Sequence, residues 1–156
     1  MRYNRFIEKA ITIAKSMEFP IFGTRVAAII VFKNKIISYA NNQQRSDPFQ
    51  RRFSHNINKI FVHAEISAIK KALNVINIET LKKCSIYTAR VGYNRPISKK
   101  TYGDLIILPA FPCKICLSAI VEFGLKEIIS TKKNEGYNIY DNREEFSIYR
   151  YRNDRD

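Results

Sequence analysis

Two short segments fifty residues apart, His63-Ala64-Glu65 and Pro112-Cys113-Lys114-Ile115-Cys116, restrict this chain more than anything else in it. Together they supply one imidazole, two thiols and one carboxylate. Zinc takes nitrogen and sulfur ligands, and a catalytic zinc site keeps three protein ligands and leaves one position for water. His63, Cys113 and Cys116 meet that requirement, and Glu65 is left over to move protons. Cys113 and Cys116 lie one helical turn apart and reach one ion together. Positions i and i+2 do not share a helix face. His63 and Glu65 therefore work as a pair only if the end of a helix, not its side, points at the metal.

A fourth protein ligand would close such a site and leave a structural metal. The only spare candidates are Cys84 and His55. Cys84 sits in an apolar run and reads as an inert core thiol. His55 lies in a polar stretch beside Arg51, Arg52 and Phe53, which suits exposure or a phosphate better than ligation. Neither competes well with water for the open position.

The rest of the chain alternates helical and extended patterns. Residues 2–17 carry Phe6, Ile7, Ala10, Ile11, Ile13, Ala14 and Met17 near helical spacing. Arg25–Phe32 and Ile36–Ala40 are apolar runs joined by a turn at Lys33-Asn34-Lys35. Residues 41–60 read as a long loop with room for a short helix. Phe61–Val75 returns to helical spacing, Cys84–Val91 is a strand, and residues 92–104 form a loop or exposed hairpin. Leu105–Leu108 is a short strand. Cys113–Phe123 is a second inner helix, opened by Pro112 and ended by Gly124. Lys126–Ser130 and Phe146–Tyr151 are the last expected strands. This order implies a layered α/β sandwich with a mixed sheet. It also puts both metal motifs at helix starts, where the partial positive charge favours thiolate.

At 156 residues and 46% hydrophobic content, with ten Phe and nine Tyr, the chain fits one globular domain over 1–156. It has no apolar run long enough to cross a membrane, and Met1–Phe6 lacks the pattern of a secretory signal. Three cysteines, two of them at metal spacing, suit a reducing cytoplasm better than a disulfide framework. The net charge is +13, and residues 1–60 alone carry eleven Lys and Arg against three Asp and Glu. Such a surface favours anionic partners, nucleotide phosphates and nucleic acid alike.

At these residues the chain resembles the zinc-dependent cytidine and deoxycytidylate deaminase superfamily, whose signature joins H-x-E to P-C-x-x-C. Further similarity lies in Thr24–Val31, in Ser38-Tyr39-Ala40-Asn41-Asn42, in His63–Ile69 and in Ala110–Gly124. It covers roughly residues 5–131 and is nearest to the small phage-type deaminases, in which a stretch like Pro48-Phe49-Gln50-Arg51-Arg52-Phe53 precedes the His-Ala-Glu helix. Residues 137–156 form a C-terminal extension beyond it. The resemblance implies a three-layer α/β/α sandwich with a five-stranded mixed sheet, a Zn2+ cofactor and a homo-oligomer. It implies that Asn41, with Asn42 as the alternative, hydrogen-bonds the substrate and that the Ala64 backbone contacts the base. The chain departs from the family in its long gap before Cys113, with the excess in 91–110, and in Ala40 where a glycine is expected.

Three functions follow as expectations. The first is deamination of a free cytosine nucleotide, deoxycytidylate foremost, with Arg45, Arg51, Arg52 and His55 as candidate phosphate-binding residues. The second is deamination within nucleic acid, of a tRNA adenosine or a single-stranded DNA cytosine. It would use the basic surface and the interleaved Tyr93, Arg95, Lys99, Lys100 and Tyr102. The third is a zinc-stabilised binding module without chemistry, which the presence of Glu65 disfavours.

Overall fold

The computed structural model of the chain describes residues 2–17, 25–53, 61–93 and 105–140. Its elements run in the order α1 (Arg2–Lys15), β1 (Arg25–Phe32), β2 (Lys35–Asn41), β3 (Gln43–Ser46), α2 (Pro48–Phe53), β4 (Phe61–Val62), α3 (Ala64–Leu73), α4 (Ile78–Leu81), β5 (Ser85–Tyr93), β6 (Leu105–Leu108), α5 (Lys114–Phe123), β7 (Glu127–Thr131) and β8 (Tyr137–Tyr140).

One mixed sheet organises the molecule, in the strand order β2-β1-β5-β7-β8, with β6 also paired to β5. The β5–β7 pair is parallel and the others are antiparallel. Strand β5 is long enough to carry two partners on one edge. Its Ser85–Thr88 half pairs with β7 and its Arg90–Tyr93 half with β6. The sheet thus has six strands, one more than the five expected. A small separate sheet joins β3 to β4.

Side chains alternate across a strand, and here the alternation sorts the core into layers. Ile29 and Val31 of β1, Tyr87 and Ala89 of β5 and Ile129 of β7 pack with Phe6, Ile7 and Ala10 of α1. Ala28, Ile30, Ile86 and Ile128 point the other way, into a cluster with Ile66 and Ile69 of α3 and Leu117 and Ile120 of α5. The expected three-layer α/β/α sandwich is therefore present, with α1 on one face and α3 and α5 on the other.

Several boundaries differ from the sequence reading. Phe61 and Val62 form a strand with β3, so the helix expected over Phe61–Val75 begins only at Ala64 and ends at Leu73. The region 41–60 contains β3 and the short helix α2. Strand β8 was not expected. It returns from β7 through a tight turn in which Asn134 and Gly136 take positive φ. The strand expected at Phe146–Tyr151 lies outside the described residues. No helix among the described residues is long and apolar enough to cross a membrane.

Candidate metal centre

The two motif halves meet because each sits at the end of a helix. His63 is the N-cap of α3, in extended conformation with φ −78° and ψ 149°. Cys113 is the N-cap of α5, with φ −65° and ψ 168°. Neither side chain caps its own helix. An N-cap residue is not yet helical, which removes the obstacle of the i, i+2 spacing. The His63 side chain leaves the chain before the helical turn begins, while Glu65 projects from the first turn.

His63 Nδ1 lies 3.5 Å from Cys113 Sγ and 3.3 Å from Cys116 Sγ. All three donor atoms fall within 4.8 Å of one another. Tetrahedral zinc with ordinary Zn–S and Zn–N bonds sets an N···S edge of about 3.5 Å. Both N···S edges are therefore close to those of a zinc site. Cys116 is buried and Cys113 exposed, so the triangle is anchored on one side and open on the other. Among the described residues, this is the one cluster of three His, Cys, Asp or Glu groups that could hold a metal.

Glu65 stands against this group. Its Oε2 accepts a hydrogen bond from Cys116 Sγ at 3.4 Å, and the residue is only 6% exposed. Burial, reinforced by the Cys113 charge, holds its carboxyl above the ordinary range. In the metal-free protein the two thiols divide their roles. The hydrogen bond from Cys116, with His63 beside it, pulls Cys113 down to about 4, although burial opposes this. Burial pushes Cys116 well up, and its hydrogen bond with Cys113 and the nearby Glu65 charge push the same way. Cys84 lies fully buried on the core side, and burial raises it to about 11, consistent with the inert thiol expected there.

The segment carrying Cys113 is held by the sheet. Thr88 Oγ1 donates to the Ala110 carbonyl at 2.8 Å, and Ala110 N–H donates to the Thr131 carbonyl at 3.2 Å. Thr131 Oγ1 donates to the Leu108 carbonyl at 2.7 Å. Strands β5 and β7 thereby fix the approach of the chain to Pro112.

The other expected residues separate. Ala64 is fully buried as the first residue of α3. Asn41 pairs across the strands with Ala27, which packs with Ala14 of α1. Asn41 therefore sits on the α1 face, and its Oδ1 is buried with no hydrogen-bond partner among the described residues. Asn42 lies opposite Val26, donating its N–H to the Val26 carbonyl at 3.2 Å and accepting the Val26 N–H on Oδ1 at 3.0 Å. Val26 packs on the α3 and α5 side, and the Asn42 amide is engaged with its backbone at the end of β2. Arg51 is exposed on α2. Arg52 forms an ion pair with Glu122 of α5 and lies over the rings of Phe53 and Phe123. That pairing packs α2 on α5. The backbone of Arg45 lies in β3. Its side chain and all of His55 lie outside the described residues.

Sequence reasoning assigned no role to Gln50. It is completely buried, and its Oε1 accepts the His63 backbone N–H at 3.1 Å. A polar residue between Phe49 and Phe53, on the face that aromatic spacing marks as inward, was the available signal.

The family described as the cytidine and deoxycytidylate deaminase zinc-binding region matches residues 1–132. The chain belongs to this family. Among solved structures, cytidine deaminase from Burkholderia pseudomallei is similar at 17% identity, covering 94% of this chain and 96% of that one with a TM-score of 0.63. The dCMP deaminase of cyanophage S-TIM5 in apo form is similar at 16% identity, covering 81% and 79% with a TM-score of 0.53. The same phage enzyme in complex with dCMP and dUMP matches at 16% identity, covering 80% and 76% with a TM-score of 0.51. At such identities the likeness is one of fold. No curated protein matches the sequence.

Proposed function

We propose that the protein is a zinc-dependent hydrolytic deaminase that converts a cytosine nucleotide, deoxycytidylate first, to the uracil nucleotide and ammonia. The observation that carries this reading is the His63, Cys113 and Cys116 donor triangle with the Glu65 carboxyl against its edge. His63, Cys113 and Cys116 would hold the ion, and a bound zinc supplies the Lewis acidity that makes water nucleophilic near neutral pH.

The remaining chemistry falls to the protein. Water adds to C4 of the base, and Glu65 takes up its proton. Glu65 returns that proton to the ring nitrogen N3. A second proton passes through Glu65 to the amino group, which leaves as ammonia as the C4 carbonyl forms. A carboxyl held above its ordinary range by burial gives up and recovers protons closer to neutral pH than an exposed one. Asn42, rather than the α1-facing Asn41, would orient the substrate, and the Ala64 backbone at the start of α3 would face the base. Arg45, Arg51, Arg52 and His55 are the candidates for the phosphate.

The dCMP named in the phage complex supports the choice of nucleotide. The net charge of +13 favours a second reading, deamination within nucleic acid. Ammonia release by the zinc-loaded protein, measured against cytidine, deoxycytidine, their monophosphates, guanine, adenosine and a single-stranded oligonucleotide, separates the two. The expected outcome is turnover of the cytosine monophosphates. Turnover of the oligonucleotide alone would overturn the nucleotide assignment.

A further inference from the structure

We infer that Gln50 is a positioning residue for the metal centre: its side-chain amide holds the His63 backbone so that the imidazole leaves the start of α3 toward the two thiols. The inference rests on the zinc reading above and extends it to a residue that touches no metal donor.

His63 occupies an N-cap position but provides no side-chain cap. Side-chain capping of α3 therefore does not fix the direction in which its side chain departs. That direction depends on the backbone at His63. Its carbonyl is held by the helix, through the Ser67 N–H at 3.0 Å. Its N–H is held by Gln50 Oε1 at 3.1 Å. The second constraint comes from another element, so its precision depends on how firmly that element is placed.

Helix α2 is fastened at both ends and on both sides. Asp47 accepts the Phe49 N–H at 2.8 Å and pairs with Lys70 of α3 at 2.7 Å. On the other flank Phe49 stacks on Phe123 of α5 with centroids 5.8 Å apart, and Phe53 lies 6.0 Å from the same ring. Arg52 reaches Glu122 of α5. Helix α2 thus bridges the helix that follows His63 and the helix that carries Cys116. Gln50 sits in the middle of this bridge with no exposed surface. Its Nε2 is buried with no hydrogen-bond partner among the described residues, and leaving a buried donor unsatisfied costs stability. A Met or Leu at this position would avoid that cost. A residue that bears it supplies something an apolar side chain cannot, and here that is the acceptor for His63.

Partners that orient metal ligands typically alter metal affinity by about 10- to 100-fold when removed. Zinc affinity of the purified full chain, measured by competition with a chromogenic chelator, is the primary readout. The visible spectrum of the Co2+-loaded protein reports ligand geometry independently of catalysis. Gln50→Met keeps the volume and loses the acceptor, and is expected to weaken zinc binding about 10- to 100-fold and to shift the Co2+ bands. Gln50→Glu keeps an acceptor oxygen and is expected to retain most of the affinity and the native spectrum. Glu79→Gln breaks the exposed pair with Lys82 away from α2, and such pairs contribute little, so it is expected to stay within about threefold of the native protein.

Native affinity and spectrum in Gln50→Met would overturn the inference. So would equal losses in Gln50→Met and Gln50→Glu, which would make Gln50 a packing residue. If Gln50→Met does not fold, the native-like behaviour of Gln50→Glu still tests the acceptor, and its loss of zinc with a retained fold would contradict it. Failure of the unaltered chain to bind zinc would sink the functional reading itself, a different outcome from any of these.

Discussion

Glu65 Oε2 lies 3.4 Å from Cys116 Sγ, so the carboxyl proposed to carry protons and one of the three candidate metal donors are in direct contact although 51 positions separate them. A carboxyl at that place suits the proposed chemistry, whereas a closed structural zinc has no use for one. Glu65→Gln preserves shape and removes the exchangeable proton. It is expected to lower kcat by at least about 100-fold while leaving the zinc content unchanged. Metal analysis and steady-state kinetics on the same preparation check both halves.

The two Asn residues at the end of β2 give opposite expectations. Asn42→Ala removes the amide proposed to meet the substrate and is expected to raise KM or lower kcat/KM by roughly tenfold or more, the scale of one lost hydrogen bond of about 1.4 kcal/mol. Asn41→Ala, on the α1 face, is expected to leave kcat/KM within about twofold, a change of under 0.5 kcal/mol. Reversal of this order would place the substrate on the other side of the strand.

The cysteines differ enough for chemistry to tell them apart. In zinc-free protein at pH 7, Cys113 is exposed and held down to about 4, whereas Cys84 is fully buried and raised to about 11. Iodoacetamide is expected to label Cys113 rapidly and Cys84 only after unfolding, as read by peptide mass spectrometry. Added zinc is expected to protect Cys113.

Cys84 also carries a pH signature. Its folded value of about 11 exceeds the unfolded reference of 9.0. Below pH 9 the thiol is neutral in both states and nothing is lost. Above that, the unfolded chain ionises first, so stability falls as pH rises from about 9 to about 11. Denaturant midpoints at pH 8 and pH 10.5 are expected to separate more in the native protein than in Cys84→Ala, where this contribution is absent.

Gly124 ends α5 in the left-handed conformation with φ 73°, and a Cβ there would stand 3.1 Å from Lys82 Cγ. Gly124→Ala is expected to cost about 1 kcal/mol or slightly more, seen as a lower Tm.

Much of this architecture was legible because burial writes a period into the sequence. The apolar runs at Arg25–Phe32 and Cys84–Val91 and the helical spacing in residues 2–17 gave the order of elements. Gly124 and Pro112 marked the ends of α5 by backbone chemistry alone. The start of α3 was misplaced because Phe61 and Val62 are apolar at positions that also fit a helix, while their actual partner is β3 across the chain. Strand β8 was missed because Tyr137–Tyr140 is short and partly polar and depends on pairing with β7. Metal donors could be named from residue type and spacing, since few side chains bind zinc. The choice between Asn41 and Asn42 required the cross-strand register, and the role of Gln50 required knowing which backbone N–H its amide meets. The ion pair of Arg52 was not legible because its partner Glu122 lies on another helix.

The most direct test is conversion of dCMP by the protein carrying one zinc per chain, followed by separate quantification of dUMP and ammonia. Equal amounts of the two products, abolished in Glu65→Gln and lost on zinc removal, are expected. A fully zinc-loaded preparation that converts neither dCMP nor any other cytosine nucleotide or nucleoside would contradict the assignment.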